Sequence, residues 1–232
     1  MQRIVLLSDI HGNLPALQAV AEALPPHDGV FVAGDLCFEG PCPAQVLDFL
    51  LDAGWKLVMG NTDRDIVAPP TDGKRLRQER VAWTRQQLGP ERLMRLAGLP
   101  FSLRLTDPLE EDVLIVHANP RDMDTHLRPT MSEGDLQPYL AGIEARVLAF
   151  GHLHIPYIRP VEGVVLADVA SVGQPKDGDQ RAAFTVISWQ DGGRSIEQVR
   201  VPYDLEKTIA LLHRSDMPGA EQAIDTLRRA AY

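Results

Sequence analysis

Five apolar runs in this chain each end on a side chain able to bind a cation, and that recurrence constrains the fold more than any other feature. Ile4-Val5-Leu6-Leu7 runs into Ser8-Asp9-Ile10-His11-Gly12-Asn13, and Gly29 to Ala33 ends in Gly34-Asp35. Lys56 to Met59 ends in Gly60-Asn61-Thr62-Asp63, Val113 to Val116 in His117, and Arg146 to Phe150 in Gly151-His152-Leu153-His154. Apolar runs this short, bounded by turn residues, have the length of buried strands. Between the first three lie segments of helical spacing: Leu14, Leu17, Ala21 and Leu24, then Val46, Leu47, Leu50 and Leu51 behind Pro43, a residue suited to a first helical turn. Strand–helix–strand–helix–strand is the pattern of a parallel sheet, whose ligand sites form outside the carboxyl ends of its strands.

Singly, these residues have ordinary explanations: Asp9 or Asn13 as a helix cap, Asp35 and Asn61 as turn residues, His117 as a hydrogen-bonded core histidine, His154 as a surface group. Five such groups at the same end of successive strands point instead to one centre. Three follow a glycine directly, Gly34, Gly60 and Gly151, which suits close backbone approach. Imidazoles mixed with carboxylates and an amide oxygen suit Mn, Fe, Zn, Ni or Co rather than Ca or Mg alone, with manganese the first choice. The seven side chains, Asp9, His11, Asp35, Asn61, His117, His152 and His154, are too many for one tetrahedral ion and enough for two divalent transition-metal ions sharing Asp35. Such a pair, about 3.5–4 Å apart, clamps the attacking and leaving oxygens of an in-line displacement at phosphorus.

Charge supports that chemistry. The net charge is −9, and the densest basic clusters are only Lys74-Arg75-Leu76-Arg77 and Arg228-Arg229, so the footprint of a duplex-DNA binder is missing. A chain that handles phosphate without basic side chains needs bound cations to do it, and a small phosphate ester is the expected partner. Cys37 and Cys42 have no Cys or His partners at zinc-finger spacing and read as two reduced thiols. No segment approaches the roughly 18 apolar residues of a membrane helix. The opening apolar run is too short for a signal peptide, which leads to the expectation of a cytoplasmic protein. At 232 residues and 44% hydrophobic, with no convincing linker, residues 1–232 are expected to form one domain, with homo-oligomer formation left open.

Further along, residues 64–74 read as a loop and two helices are expected at about 75–88 and 91–97, joined through Gly89-Pro90. A short helix is expected at about 132–141, and two amphipathic helices at about 204–214 and 219–230 close the chain. Phe101 to Leu105 is a further strand. Tyr157–Arg159, Val164–Ala167, Ala183–Trp189 and Ser195–Val201 look like an antiparallel extension forming a second sheet packed on the first.

The five blocks in this order resemble the calcineurin-like metallophosphoesterases over about residues 3–175. Gly40-Pro41 after Gly34-Asp35, and Ser171-Val172-Gly173-Gln174-Pro175, are similar to the small bacterial and archaeal members. The resemblance implies an α/β fold, a two-sheet β-sandwich flanked by helices (α/β/β/α). It implies Asp9, His11, Asp35 and His154 around a first metal, and Asp35, Asn61, His117 and His152 around a second. It also implies a hydrolase in which Asp35, Asn61 and His117 are catalytic and a metal-bridging hydroxide attacks a phosphodiester, or a phosphomonoester, in line. Asn61, Thr62 and Arg121 are the expected substrate contacts. Arg128 and His126, in the same loop as Arg121, read as solvent-facing.

The chain departs from the family pattern at three places. Thr62 stands where the family has a histidine thought to protonate the leaving group or orient the phosphate. Thr62 cannot be a general acid, so diesters with good leaving groups are expected to turn over better than alkyl monoesters; its neighbour Asp63 is either a support for a ligand or a helix cap. No arginine lies between Asp35 and Gly40, which argues against protein Ser/Thr phosphatase and diadenosine tetraphosphate hydrolase activities. Asp168-Val169-Ala170 replaces Asn-Pro-Gly before the final loop. Two alternatives stand beside the enzyme: a protein-binding scaffold of the same fold, similar to the endosomal sorting subunit, and a nuclease.

Overall fold

The computed structural model describes residues 2–106, 112–190 and 192–231. Its frame is set by strands apolar on both faces. In β1 (Gln2–Leu7), Val5 and Leu7 pack with the apolar face of α1 (Leu14–Ala23), while Ile4 and Leu6 point the other way into a second apolar layer. Alternation with period two makes one strand serve two cores. The same holds for β5 (Asp112–Val116): Val113 and Ile115 share the layer with Ile4 and Leu6, and Leu114 and Val116 pack with Leu136 and Leu140 of α5 (Glu133–Leu140). The result is helix, sheet, sheet, helix, as the sequence led us to expect.

β1 pairs in parallel with β2 (Gly29–Val32), Ile4 opposite Gly29, and β2 in parallel with β3 (Lys56–Leu57). α2 (Pro43–Asp52) follows β2 and buries Val46, Leu47 and Leu50. α3 (Asn61–Val67) and α4 (Arg75–Ala97) follow β3; α4 breaks at Gly89, at φ 68 and ψ 173, so the two-helix reading holds there. β4 (Ser102–Thr106) pairs antiparallel with β5, and β5 in parallel with β6 (Val147–Phe150). After β7 (Tyr157–Val161), β8 (Val164–Asp168), β9 (Ala182–Gln190) and β10 (Gly193–Val201), α6 (Leu205–Arg214) and α7 (Ala220–Arg229) pack on each other and on Trp83.

Three expectations are corrected. The last four strands do not form a sheet of their own. β7 and β8 extend the second sheet, in the order β4-β5-β6-β8-β7, while β9 and β10 extend the first, in the order β10-β9-β1-β2-β3. β8 runs parallel to β6, with Val165 opposite Val147, whereas β9 runs antiparallel to β1, with Ile187 opposite Ile4. The choice of partner is a long-range pairing that local periodicity does not encode. Residues 64–67 are helical, as the end of α3, rather than loop. The third strand is shorter than its apolar run: beyond Leu57 only single bonds continue, Val58 N–H to the Val32 carbonyl and Met59 N–H to the Pro100 carbonyl. Cys37 and Cys42 are buried and unbridged. Among the described residues no helix is long and apolar enough to cross a membrane.

Candidate metal centre

The carboxyl ends of β1, β2 and β3 from one sheet and of β5 and β6 from the other face a common point, and the backbone there is held in conformations that residues with a Cβ avoid. Asp9 (φ 53), His11 (φ 48), Asp35 (φ 55), His152 (φ 66) and His154 (φ 61) are all in the left-handed region. Each costs on the order of 1–3 kcal/mol and survives only where the surroundings over-determine it. Here a ladder of loop bonds does so: Asp9 N–H to Gly34 O (3.0 Å), His11 N–H to Asp35 O (3.0 Å), Gly12 N–H to Leu36 O (2.9 Å), Gly173 N–H to Asp9 O (2.9 Å) and Gly151 N–H to His117 O (2.8 Å). The glycines before the ligands allow this approach. A Cβ on Gly60 would overlap the Asp35 carboxylate, one on Gly151 would overlap Ser8 Oγ and Asp9 Oδ2, and one on Gly34 would lie 2.9 Å from His117 Nδ1.

All seven candidate side chains are brought together. Asp9, His11 and His154 form one group: His154 Nε2 lies 3.1 Å from Asp9 Oδ1 and 3.2 Å from His11 Nε2. Asp35, His117 and His152 form the other: His117 Nε2 lies 3.4 Å from Asp35 Oδ1 and 3.1 Å from His152 Nδ1, and Asn61 Oδ1 joins them at 3.0 Å from His117 Nε2. Asp35 stands between the groups, its Oδ2 3.7 Å from His11 Nε2.

The protonation pattern decides what the cluster fits. Every imidazole donates its outer N–H to a backbone carbonyl: His11 Nδ1 to Phe38, His117 Nδ1 to Ala33, His154 Nδ1 to Gln174 and His152 Nε2 to Asp124. In neutral rings the inner nitrogens therefore present lone pairs, and these face one another and the carboxylates with no proton between them. Burial pushes His11 and His152 towards the neutral form. Burial acts on His117 too, but the Asp35 and Asp9 carboxylates outweigh it and raise the ring. Asp9 is fully buried and its Oδ1 accepts no hydrogen bond among the described residues. Positive charge on the His154, His117 and His11 rings would outweigh burial and pull its acid below the ordinary carboxylate range. A buried carboxylate oxygen without a donor, beside ring nitrogens whose outer partners are already fixed, is a donor set that calls for positive charge and fits divalent cations, with outer-shell carbonyls fixing each tautomer.

Supporting residues explain the precision. Asp63 is both of the things its sequence position allowed. Its Oδ2 accepts from Gly60 N–H at the start of α3 and its Oδ1 from Leu36 N–H (3.0 Å each), so one carboxylate ties the Asp35 loop to the Asn61 loop. Two of the three expected substrate contacts have partners within the protein. Thr62 is buried and supports Asp35 through its backbone, donating to Oδ1 at 3.0 Å. Arg121 spends its guanidinium on the Pro138 and Ala141 carbonyls at the end of α5, which caps that helix. Arg128 is exposed, as expected. His126 is not: its ring stacks on His152, centroids 4.1 Å apart and planes 26° apart. Sequence reasoning also passed over Lys176, half-buried directly after the Ser171–Pro175 loop, with its N–H on the His154 carbonyl. Burial lowers its ammonium against the pull of Asp9, Glu39 and Asp35.

Asp168, at the first position of the atypical final loop, is buried; Oδ1 accepts from Ala170 N–H (2.9 Å) and Oδ2 has no partner among the described residues. Burial, with the Asp9 and Asp177 carboxylates adding to it, raises this acid well above the ordinary carboxylate range. A group raised on folding contributes stability below its unfolded value and loses it as pH climbs through the folded one. Asp168→Asn should therefore melt progressively higher relative to the parent as pH rises beyond the unfolded carboxylate range of about 4, by about 2–4 °C per kcal/mol of ionisation cost removed. Parallel melting curves above that pH would contradict the assignment.

A sandwich that gathers imidazoles, carboxylates and an amide from strand ends of both sheets defines a class of metal-dependent hydrolase acting on phosphoester bonds. Comparison with known proteins gives the family. The Calcineurin-like phosphoesterase superfamily domain matches residues 2–192, and the chain belongs to that superfamily. It is 27% identical over 236 residues to the uncharacterized protein MJ0912 of Methanocaldococcus jannaschii, with 93% of each chain covered. Its fold matches that of a metallophosphoesterase from Sphaerobacter thermophilus at a TM-score of 0.82 and 25% identity, with 99% of each chain covered. The hypothetical protein PH1004 from Pyrococcus horikoshii has a TM-score of 0.88 at 18% identity, covering 100% of this chain and 99% of its own.

Proposed function

We propose that this protein is a phosphodiesterase that works with two divalent transition-metal ions, manganese the first choice, on small phosphate esters. The observation that carries the reading is Asp35: one carboxylate faces both ligand groups, with Oδ1 near His117 and Oδ2 near His11. Asp9, His11, Asp35 and His154 would hold one ion; Asp35, Asn61, His117 and His152 the other. When bound, such a pair supplies a nucleophilic water at neutral pH and a positive clamp on the phosphoryl oxygens.

The chain's own residues do the rest. The left-handed turns aim the ligands before any ion arrives, so little reorganisation is needed on loading. The carbonyls of Phe38, Ala33, Gln174 and Asp124 keep the inner nitrogens bare. Asn61, with Oδ1 turned to His117, leaves its Nδ2 to donate to a substrate oxygen. A scaffold role is disfavoured because all seven ligand-type side chains are present and converge. The acidic charge disfavours a nuclease. Two buried, unbridged cysteines support a reducing compartment such as the cytoplasm.

The test is to strip the protein of metal, add Mn, Fe, Zn, Ni, Co or Mg, and measure bound metal together with hydrolysis of bis(p-nitrophenyl) phosphate, a phosphonate ester and alkyl and aryl monoesters. We expect two ions per chain and faster turnover of the aryl diester than of alkyl monoesters. Uptake of less than one ion per chain, or no diester hydrolysis with any metal, would refute the reading. Equal rates on alkyl monoesters would refute the diester preference alone.

A further inference from the structure

The loop after β5 carries an imidazole that the metal centre does not use. His126 is half-buried, its ring lies face to face with that of His152, and its Nδ1 is buried with no hydrogen-bond partner among the described residues. Buried polar atoms are nearly always paired, so an unpaired one beside a ligand cluster calls for a reason.

The ring is held in place rather than left to wander. Asn119 Oδ1 accepts from the N–H groups of Arg121 (2.7 Å) and Asp122 (2.9 Å), and the Asp122 carboxylate accepts from the N–H groups of Asp124 (2.8 Å) and Thr125 (2.7 Å). Arg64 of α3 grips the Asp124 carboxylate with both terminal nitrogens, at 2.7 and 3.0 Å, and the Asp124 carbonyl takes the outer N–H of His152. The residue two positions before His126 is thus tied to α3 and to a candidate ligand at once.

Elimination points the same way. The chain has seven histidines. Four are candidate ligands with both nitrogens committed. His27 is exposed in a turn, and His213 on α6 pairs with Glu221. His126 alone is an imidazole beside the centre with hydrogen-bonding capacity to spare.

We propose that His126 contacts the substrate, its Nε2, the ring nitrogen that is not among the buried unpartnered atoms, donating a hydrogen bond to a phosphoryl oxygen of a phosphodiester seated beside His152. This rests on the phosphodiesterase reading and adds to it a non-metal contact that sets substrate position. The loop bonds fix the ring before substrate arrives, so the contact costs little ordering.

Two variants separate contact from packing. His126→Phe keeps the stacked ring and removes both nitrogens; His126→Gln keeps a donor and removes the ring. With manganese-loaded protein we expect His126→Phe to hold as much metal as the parent, to lose about tenfold to a hundredfold in kcat/KM for bis(p-nitrophenyl) phosphate, and to bind inorganic phosphate several-fold more weakly; His126→Gln should recover part of both. Parental kcat/KM and phosphate affinity in His126→Phe would overturn the proposal. Metal lost in step with activity would also overturn it, by making the ring a prop for His152. Should the parent hydrolyse no ester, or His126→Phe fail to fold, phosphate binding to zinc-loaded parent decides: a shift of the His126 ring-nitrogen resonances sustains the contact, and unshifted resonances refute it.

Discussion

Asp35→Asn should abolish activity while leaving the chain folded. The carboxylate is the meeting point of the two ligand groups: Oδ1 accepts from Thr62 N–H and lies 3.4 Å from His117 Nε2, and Oδ2 reaches towards His11. An amide of the same shape can keep the bond from Thr62 through its oxygen, so the loop has little reason to move. What it cannot do is offer anionic oxygens on both sides: its nitrogen has no lone pair for a cation. Bound metal should fall from two ions per chain to one or fewer. Turnover of bis(p-nitrophenyl) phosphate should fall by at least about 10²–10³-fold, the scale of losing one charge-stabilising group at a reacting centre. Thermal unfolding without metal should come somewhat below the parent at neutral pH, because His117 and His11 outweigh burial and hold the Asp35 carboxyl below its ordinary range, an attraction the amide gives up. Metal analysis by mass spectrometry alongside kinetics checks both halves. A variant with two ions and parental turnover would remove Asp35 from the centre.

The ligands were legible in the sequence because the signals that mark them are local. A short apolar run, a glycine and a cation-binding side chain are adjacent in the chain, and a parallel strand delivers its last residue to the same end of the sheet as its neighbours. What was not legible depended on contacts between distant residues. Nothing in Ala182–Gln190 says that it pairs with β1 rather than with β8, because the run is buried on both faces and such a run suits the interior of either sheet. α3 was partly missed because Asn61–Val67 is seven residues, mostly polar, and starts on a glycine rather than a capping side chain. That Arg121 bonds the carbonyls of α5 and that His126 stacks on His152 is not written in the local sequence. In a loop without periodicity, charge was the only cue, and it says nothing about whether a guanidinium turns to a helix end or an imidazole turns inward. Asp63 shows the intermediate case: its position at the third residue of α3 predicted a cap, but its second bond, to Leu36, exists only once two strand ends are brought together.

Gly151→Ala tests that convergence directly. Gly151 directly follows β6 of the second sheet, and its Cα faces Ser8 and Asp9, just past the end of β1 in the first. The two sheets approach closely here, where His152 and His154 reach Asp9: His152 N–H donates to Asp9 Oδ2 at 2.9 Å, and His154 Nε2 stands 3.1 Å from Oδ1. A methyl group at 151 would overlap Ser8 Oγ and Asp9 Oδ2, neither the end of a long side chain that could swing away, so the strand ends must part. Overpacking of this kind costs about 1–3 kcal/mol or more, which for a chain of this size lowers Tm by about 2–4 °C per kcal/mol. The loss of metal should exceed the loss of stability, because parting the strand ends separates ligands of one group from each other. Gly98→Ala is the control. It caps α4 at φ −84 and ψ 0, a conformation alanine adopts freely, and a Cβ there would meet only ordinary contacts at 3.6 Å and beyond. It should melt at or above the parent temperature and bind metal normally. If Gly151→Ala behaves as Gly98→Ala does, the two sheets do not need to meet at that glycine and the ligands of β6 do not share a centre with Asp9.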